Sequence, residues 1–235
     1  MTIFRHASQQ VRCRYLPSSS KIVVMVRVKI CGITKPEDAK LAAELGAHAI
    51  GLNFYEQSSR CITPYAAAEL IRRLPPFVAA IGVFVNWAEA PVIALCKALR
   101  LSAAQLHGDE SPRVVERVSA RLPVIKVLRH GPGGAAPDFS PFRGVSAFLL
   151  DSALSGQYGG SGMTGNWHLA RTAAQSHRII LAGGLTPENV GEAIRIVRPY
   201  AVDVASGVES RPGKKDPAKL QAFFDEVARA SREIS

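Results

Sequence analysis

A single barrel of eight parallel strands, each followed by a helix, is the fold class that residues 25–235 predict, on three observations. Short apolar runs alternate with amphipathic stretches in strand-then-helix order along this whole span. Repetition of that order demands parallel strands and right-handed crossovers. Eight such units in a span of this length match a compact (β/α)8, or TIM, barrel. A doubly wound open sheet is the alternative, but no Gly-rich dinucleotide turn follows the first strand.

The first predicted strand, Val26 to Cys31, is an alternating apolar run that ends at Gly32. A helix from Thr34 to Leu45 follows, with Thr34 and Glu37 spaced as a capping box and Gly46 as its stop. Ala49 to Phe54 is the second strand, and its helix runs from Thr63-Pro64 to Leu74. Phe77 to Val85 pairs with a helix from Ala88 to Leu99, and Ala103 to Leu106 with one from Ser111 to Ser119. The fifth strand, Val124 to Leu128, is followed by a weak helical signal. Ala147 to Leu150 precedes a helix from Trp167 to Gln175. Arg178 to Leu181 precedes Pro187 to Val197, and Ala201 to Val204 precedes Pro217 to Ala230. Proline or a small hydroxyl residue opens most of these helices, the usual chemistry of a helix start.

Composition narrows the class of function. At 47% hydrophobic and 20% charged residues, the chain can bury a full core as one domain. No apolar run reaches the roughly 20 residues that span a bilayer, and no signal-peptide core is present, so a soluble cytoplasmic protein is expected. The four cysteines, Cys13, Cys31, Cys61 and Cys96, show no zinc-site or redox-motif spacing, which predicts free thiols and no metal. Of the net charge of +10, Arg5, Arg12, Arg14 and Lys21 supply four charges in an opening stretch without a single acid, leaving +6 for the remainder. No basic cluster with interleaved aromatics follows, so anionic small molecules are expected to benefit from the field rather than nucleic acid. Residues 1–24 lack strand or helix period until their last residues and read as an N-terminal extension, disordered or upstream of the true start at Met25.

Chemistry in this fold gathers where strands end. Read in order, those ends are Cys31, Asn53, Asn86, His107, Lys126 with Arg129, Asp151, Gly183-Gly184 and Ser206-Gly207. They are polar, small or reactive, while the strands that deliver them are apolar. A lone cysteine is ordinarily a small buried hydrophobe; as the first member of this ring, Cys31 is instead a candidate functional group. "LAGGLTPENV" and "DVASGVES" end the seventh and eighth strands in glycines beside a helix start. Backbone N–H groups exposed by glycine, together with a helix dipole, hold phosphate, and loops seven and eight are the usual place for it.

Asp151 closes the apolar run "SAFLLD", so its carboxyl group points into the mouth. Desolvation there favours the protonated form that a general acid needs. Arg60, in "YEQSSRCITP", is placed to grip a carboxylate through two parallel hydrogen bonds. His107, in "QLHGDE", reads as a structural hydrogen-bonding group rather than a base. The thirteen residues Ser155 to Trp167 contain five glycines and suit a flap that closes over substrate.

These segments in this order resemble the phosphoribosylanthranilate isomerase family of tryptophan biosynthesis. The resemblance spans about Val26 to Asp216 and rests on "KICGIT", "SSRCITP", "GVFVN", "QLHGDE", "LLDS", "GGSG", "LAGGLTPENV", "DVASGVES" and "PGKKD". It implies an Amadori rearrangement of N-(5'-phosphoribosyl)anthranilate without metal or organic cofactor. By the same resemblance Cys31 matches the general base, Asp151 the general acid and Arg60 the holder of the anthranilate carboxylate. Gly183, Gly184, Asp203, Ser206 and Gly207 match the remaining substrate contacts. A thiol pKa modestly depressed by the helix start after Thr34 is expected at Cys31. The implied partner is a small-molecule phosphosugar, neither nucleic acid nor membrane, and the chain is expected as a monomer or homodimer.

This chain departs from the family pattern in three places: Gly165-Asn166-Trp167, Met163, and Ala205 where serine is frequent. A histidine-pathway phosphosugar isomerase of the same fold would share the phosphate loops but carry aspartate at the end of strand one, where this chain has Cys31. A non-catalytic phosphate-binding barrel would have no use for Cys31 and Asp151 together.

Overall fold

The computed structural model describes residues 25–129, 136–151 and 166–235, so the expectations for residues 1–24 and for most of the glycine-rich loop lie outside the described residues. Eight parallel strands close into a barrel in sequence order. They are β1 (Arg27–Cys31), β2 (Ala49–Asn53), β3 (Ala79–Phe84), β4 (Ala103–Leu106), β5 (Val124–Arg129), β6 (Ala147–Asp151), β7 (Ile179–Leu181) and β8 (Ala201–Val204). Closure runs through β8 and β1, where Lys29 pairs with Asp203 and Ile30 with Val204.

Seven α-helices cover the barrel among the described residues: α1 (Pro36–Glu44), α2 (Pro64–Ile71), α3 (Glu89–Ala98), α4 (Pro112–Ser119), α5 (Trp167–Ala174), α6 (Val190–Val197) and α7 (Pro217–Glu233). Side chains cap several of them as helix-start chemistry requires. Thr63 accepts from the Ala66 N–H, Ser111 from Val114, Asn166 from His168 and Leu169, and Asp216 from Ala218 and Lys219.

Three expectations are corrected. Thr34 forms no capping box: Lys35 is the cap residue of α1 without a side-chain bond, and the Thr34 hydroxyl donates to the Gly213 carbonyl at 2.7 Å instead. The helix expected from Pro187 begins at Val190, because Asn189 folds the preceding turn: it accepts from Thr186 N–H and donates to Gly184 O, both at 2.8 Å. Between β5 and β6 the described residues 136–146 form no helix. One addition lies after β8, where a 3-10 turn (Ser206–Val208) leads into an antiparallel pair, β9 (Glu209–Arg211) and β10 (Lys214–Lys215). Gly213, at φ +78, permits the reversal.

Strand alternation divides the core in two. Between sheet and helices lies a large layer that includes Ile30, Ile50, Leu52, Leu106, Leu150, Val202 and Phe223. Inside the barrel is a smaller one of Ile81, Ala103, Ile125, Val127, Leu149, Ile180 and neighbours. The plug is built largely by β3 to β7, while the β1 and β8 interior positions carry Lys29 and Asp203.

Phe84 anchors the outer layer, stacking on Phe54 at 5.4 Å and meeting Trp87 edge-on at 5.3 Å while fully buried. Phe84→Ala is expected to cost about 3–5 kcal/mol, the range for emptying a buried aromatic site. A lower urea midpoint with an unchanged denaturant slope checks this.

Candidate active site

One cavity of about 730 Å³, counting its open mouth, occupies the C-terminal end of the barrel. Cys31, Arg60, Asp151, Gly183, Gly184, Asp203, Ser206 and Gly207 all line it, as do Asn53 and His107. Asn86, Lys126 and Arg129 do not. Lys126 lies on the opposite face of β5, where its Nζ donates to the carbonyls of Leu106 and Gly108 and to Glu110. Glu110 also accepts from Asn86 N–H, and Arg129 reaches the His107 carbonyl and Asp109. These residues brace the rim of β3 to β5 instead of facing the cavity.

Cys31 sits on the floor at the end of β1. Its register partner is Gly51 on β2, where an added Cβ would stand 2.8 Å from the Cys31 sulfur and 3.0 Å from the Lys29 Nζ. Only glycine leaves both groups their places. Lys29, two residues back and on the same face of the strand, donates to Asp203 Oδ1 at 2.8 Å, and its ammonium shares with the thiol the space that Gly51 leaves open. Burial works against the Lys29 charge, yet Asp203 and Cys31 outweigh it and hold the lysine above its ordinary value. Burial also pushes the Cys31 thiol up; Lys29 and Lys215 oppose this without reversing it, and the Asp203 charge adds to it. The depressed thiol expected from the helix start is therefore corrected to a raised one. Desolvation of the ionised form is the reason.

Asp151 ends β6 and is buried at 4% exposure. His107 Nε2 lies 3.2 Å from its Oδ2, and Gln105 Nε2 lies 3.0 Å from His107 Nδ1. With the amide nitrogen toward Nδ1, Nε2 is the nitrogen that donates to Asp151, and the opposite amide orientation exchanges the two roles. His107 is thus a hydrogen-bonding partner of the carboxyl group. Gln105 is fully buried, and its Oε1 has no hydrogen-bond partner among the described residues.

Arg60 is bound edge-on by Glu209, Nε to Oε1 at 2.9 Å and Nη2 to Oε2 at 2.7 Å. That bidentate grip uses one edge of the guanidinium and turns the other toward the cavity. Glu209 is held in turn by Lys215 Nζ at 2.9 Å, which also donates to the carbonyls of Cys31 and Ala205. Burial raises Glu209, but Arg60 and Lys215 outweigh it and keep the carboxylate below its ordinary range.

Gly183 and Gly184, directly after β7, adopt φ of +82 and +63, left-handed conformations that glycine takes without strain. Gly207 packs against this loop so closely that a Cβ would lie 1.9 Å from the Leu185 carbonyl oxygen. The two glycine-rich loops interlock through backbone alone. Among the described residues there is no group of three or more His, Cys, Asp or Glu placed to hold a metal ion, and no helix long and apolar enough to cross a membrane.

Lys29, Gly51, Gln105, Glu209 and Lys215 were not singled out from sequence. The signal for Lys29 was available: two-residue alternation in "RVKIC" puts it on the same face as Cys31. Glu209 and Lys215 depend on a hairpin with no sequence period.

Comparison with known proteins follows from this geometry. The family described as N-(5'phosphoribosyl)anthranilate (PRA) isomerase matches residues 28–226. An N-(5'-phosphoribosyl)anthranilate isomerase from Trichlorobacter lovleyi is 50% identical over 201 residues, 85% of this chain and 97% of its own. The crystal structure of phosphoribosyl anthranilate isomerase from Thermus thermophilus aligns at TM-score 0.78 and 43% identity, covering 87% of this chain and 99% of that one. A phosphoribosyl anthranilate isomerase in complex with reduced 1-(O-carboxyphenylamino)-1-deoxyribulose 5-phosphate aligns at TM-score 0.75 and 38% identity, covering 87% and 100%.

The interlocked loops yield a test. Gly207→Ala must part them, so inorganic phosphate is expected to bind at least about tenfold more weakly, while Arg60→Met leaves phosphate affinity within about twofold. Calorimetric titration with phosphate measures both, and relief by Arg60→Met alone would invert the assigned layout.

Proposed function

The chain belongs to the N-(5'-phosphoribosyl)anthranilate isomerase family, and from that premise we propose how its barrel converts N-(5-phosphoribosyl)anthranilate to 1-(2-carboxyphenylamino)-1-deoxy-D-ribulose 5-phosphate, an isomerisation of L-tryptophan biosynthesis. In this reading residues 25–235 form the catalytic domain, and residues 1–24 are an extension outside it. The substrate is a phosphosugar taken up by a cytoplasmic protein, monomeric or homodimeric, that engages neither nucleic acid nor membrane.

The observation that carries the residue-level reading is the order of groups around one cavity. Cys31 on β1 and Asp151 on β6 are separated by β8 and β7, whose loops bear Ser206-Gly207 and Gly183-Gly184. Arg60 stands on the other side of β1, after β2. A phosphate held by the β7 and β8 loops leaves the ribose between Cys31 and Asp151. The anthranilate carboxylate then meets the guanidinium edge that Glu209 leaves open.

The steps are acid–base throughout, and none is routed through a metal or cofactor. Asp151, protonated, gives its hydrogen to the furanose oxygen; the C1'–O bond breaks and the anthranilate nitrogen pair forms an iminium. The Cys31 thiolate takes the proton from C2', whose acidity the iminium raises, and the electron pair moves to neutralise nitrogen. The resulting enolamine tautomerises to the ketone. Asp151 regains a proton and Cys31 loses one through solvent before the next turnover. Positioning by Arg60 and the phosphate loops keeps C2' in line with the sulfur.

General acids and bases each contribute about 10² to 10⁴ in rate. Cys31→Ala and Asp151→Asn are each expected to lower kcat by that order with little change in KM, read as the loss of phosphoribosylanthranilate fluorescence. More than half the wild-type turnover in either variant overturns its role. Because burial raises the Cys31 thiol, the thiolate fraction is small near neutrality and grows with pH. kcat/KM is therefore expected to climb on its Cys31-dependent limb until pH exceeds the ordinary thiol value. A limb that levels off below that value contradicts the assignment.

A further inference from the structure

Lys29 takes no part in the steps above. It lies beneath the cavity at 3% exposure, where an ammonium is costly unless it is paired. Asp203 provides that pairing across the β1–β8 seam. The lysine also stands next to the Cys31 sulfur: a Cβ at Gly51 would lie 3.0 Å from its Nζ and 2.8 Å from the sulfur, and the glycine leaves that space to both. A lysine needed only to neutralise Asp203 would gain nothing from a place beside the thiol.

We propose that Lys29 is a positioning residue of the reaction: anchored by Asp203, its ammonium is held beside Cys31 Sγ and supplies positive charge that favours the thiolate over the thiol. This rests on the reading of Cys31 as the base. Lys29 exchanges no proton with substrate. The thiol releases its hydrogen to solvent, and the thiolate so formed takes the C2' proton.

Among the described residues four charged groups act on the sulfur. Lys29 from β1 and Lys215 from β10 favour the thiolate, as does Arg60 from the loop after β2, while Asp203 from β8 disfavours it. Asp203 therefore has two opposed effects, since it also keeps Lys29 charged and in place. Removing Lys29 and removing Asp203 must move the thiol in opposite directions. A purely structural ion pair would destabilise the fold from either side and give no such opposition.

The test is the rate of Cys31 alkylation by iodoacetamide against pH in the full chain, with Cys31 resolved from the other cysteines by peptide mapping. Lys29→Met is expected to move the labelling midpoint up by about one pH unit, slowing alkylation about tenfold below it. The loss of kcat/KM in this variant is expected to shrink as pH rises. Asp203→Asn is expected to move the midpoint down, and Lys29→Met with Asp203→Asn to lie above Asp203→Asn alone. An unchanged midpoint in Lys29→Met overturns the proposal. If that variant fails to fold because Asp203 is left unpaired, the two neutralised forms decide: coincidence of the double variant with Asp203→Asn overturns it. Labelling reads the thiol itself, so full turnover in Cys31→Ser would remove Cys31 as the base while leaving this result standing.

Discussion

The ion pair between Lys29 and Asp203, 2.8 Å across the strands that close the barrel, is the constraint on which the site depends. A barrel interior ordinarily fills with layers of branched apolar side chains. Here β3 to β7 do this with Ile81, Ile125, Val127, Leu149 and Ile180, and the seam strands do not. Isolated, either charge would be too costly to bury; paired, they form a polar floor on one side of the interior. Cys31 rests on that floor, one layer above Lys29, and Gly51 keeps the adjacent β2 position vacant for both. The barrel is asymmetric inside because its seam is charged, and that asymmetry decides which strand end can hold an ionisable thiol.

A second network fixes the mouth from above. Lys215 Nζ ties the carbonyl of Cys31 to that of Ala205 and to Glu209, and Glu209 orients Arg60. The β9–β10 pair thus couples the end of β1, the loop after β8 and the loop after β2 through one buried ammonium. Gly32 belongs to the same unit, since a Cβ there would collide with Arg60 Cδ at 2.4 Å. At position 205 Lys215 uses the backbone carbonyl, which does not depend on the side chain. "PGKKD" is therefore a framework motif, set some distance along the chain from the groups it holds.

How much of this was legible in sequence follows the kind of physics involved. Strand positions were legible because apolar side chains must reach a core on both faces of a closed parallel sheet. Helix starts were legible at Pro64, Pro112 and Pro217, where proline and a capping side chain agree. Thr34 failed as a cap because a tertiary acceptor, the Gly213 carbonyl, won its hydroxyl. Asn86, Lys126 and Arg129 miss the cavity for separate reasons: Lys126 lies within β5 on its outward face, Asn86 follows the end of β3, and Arg129, last in β5, is drawn to the His107 carbonyl and Asp109. All eight residues expected to act on substrate do line one cavity. The partners that orient them were not legible, because ion pairs such as Glu209 with Arg60 join residues 149 apart in the chain and leave no local period.

The two ends of the proposed proton path are supported in different ways, and the difference suits their tasks. Beside Cys31 stands a permanent cation, which can only favour the thiolate. Beside Asp151 stands an imidazole, whose influence depends on which nitrogen bears hydrogen. With Gln105 donating to Nδ1, the ring donates to Asp151 and favours its carboxylate. A primary amide, however, presents a donor on one side and an acceptor on the other, and here the acceptor is the buried oxygen without a partner among the described residues. Rotating the amide brings that oxygen to Nδ1–H and frees Nε2 to accept from a protonated Asp151. The same three residues thus accommodate the acid before it gives up its proton and the carboxylate afterwards, whereas the lysine beside the base has no need to change. A group that must alternate between two states is better served by a neighbour that also has two.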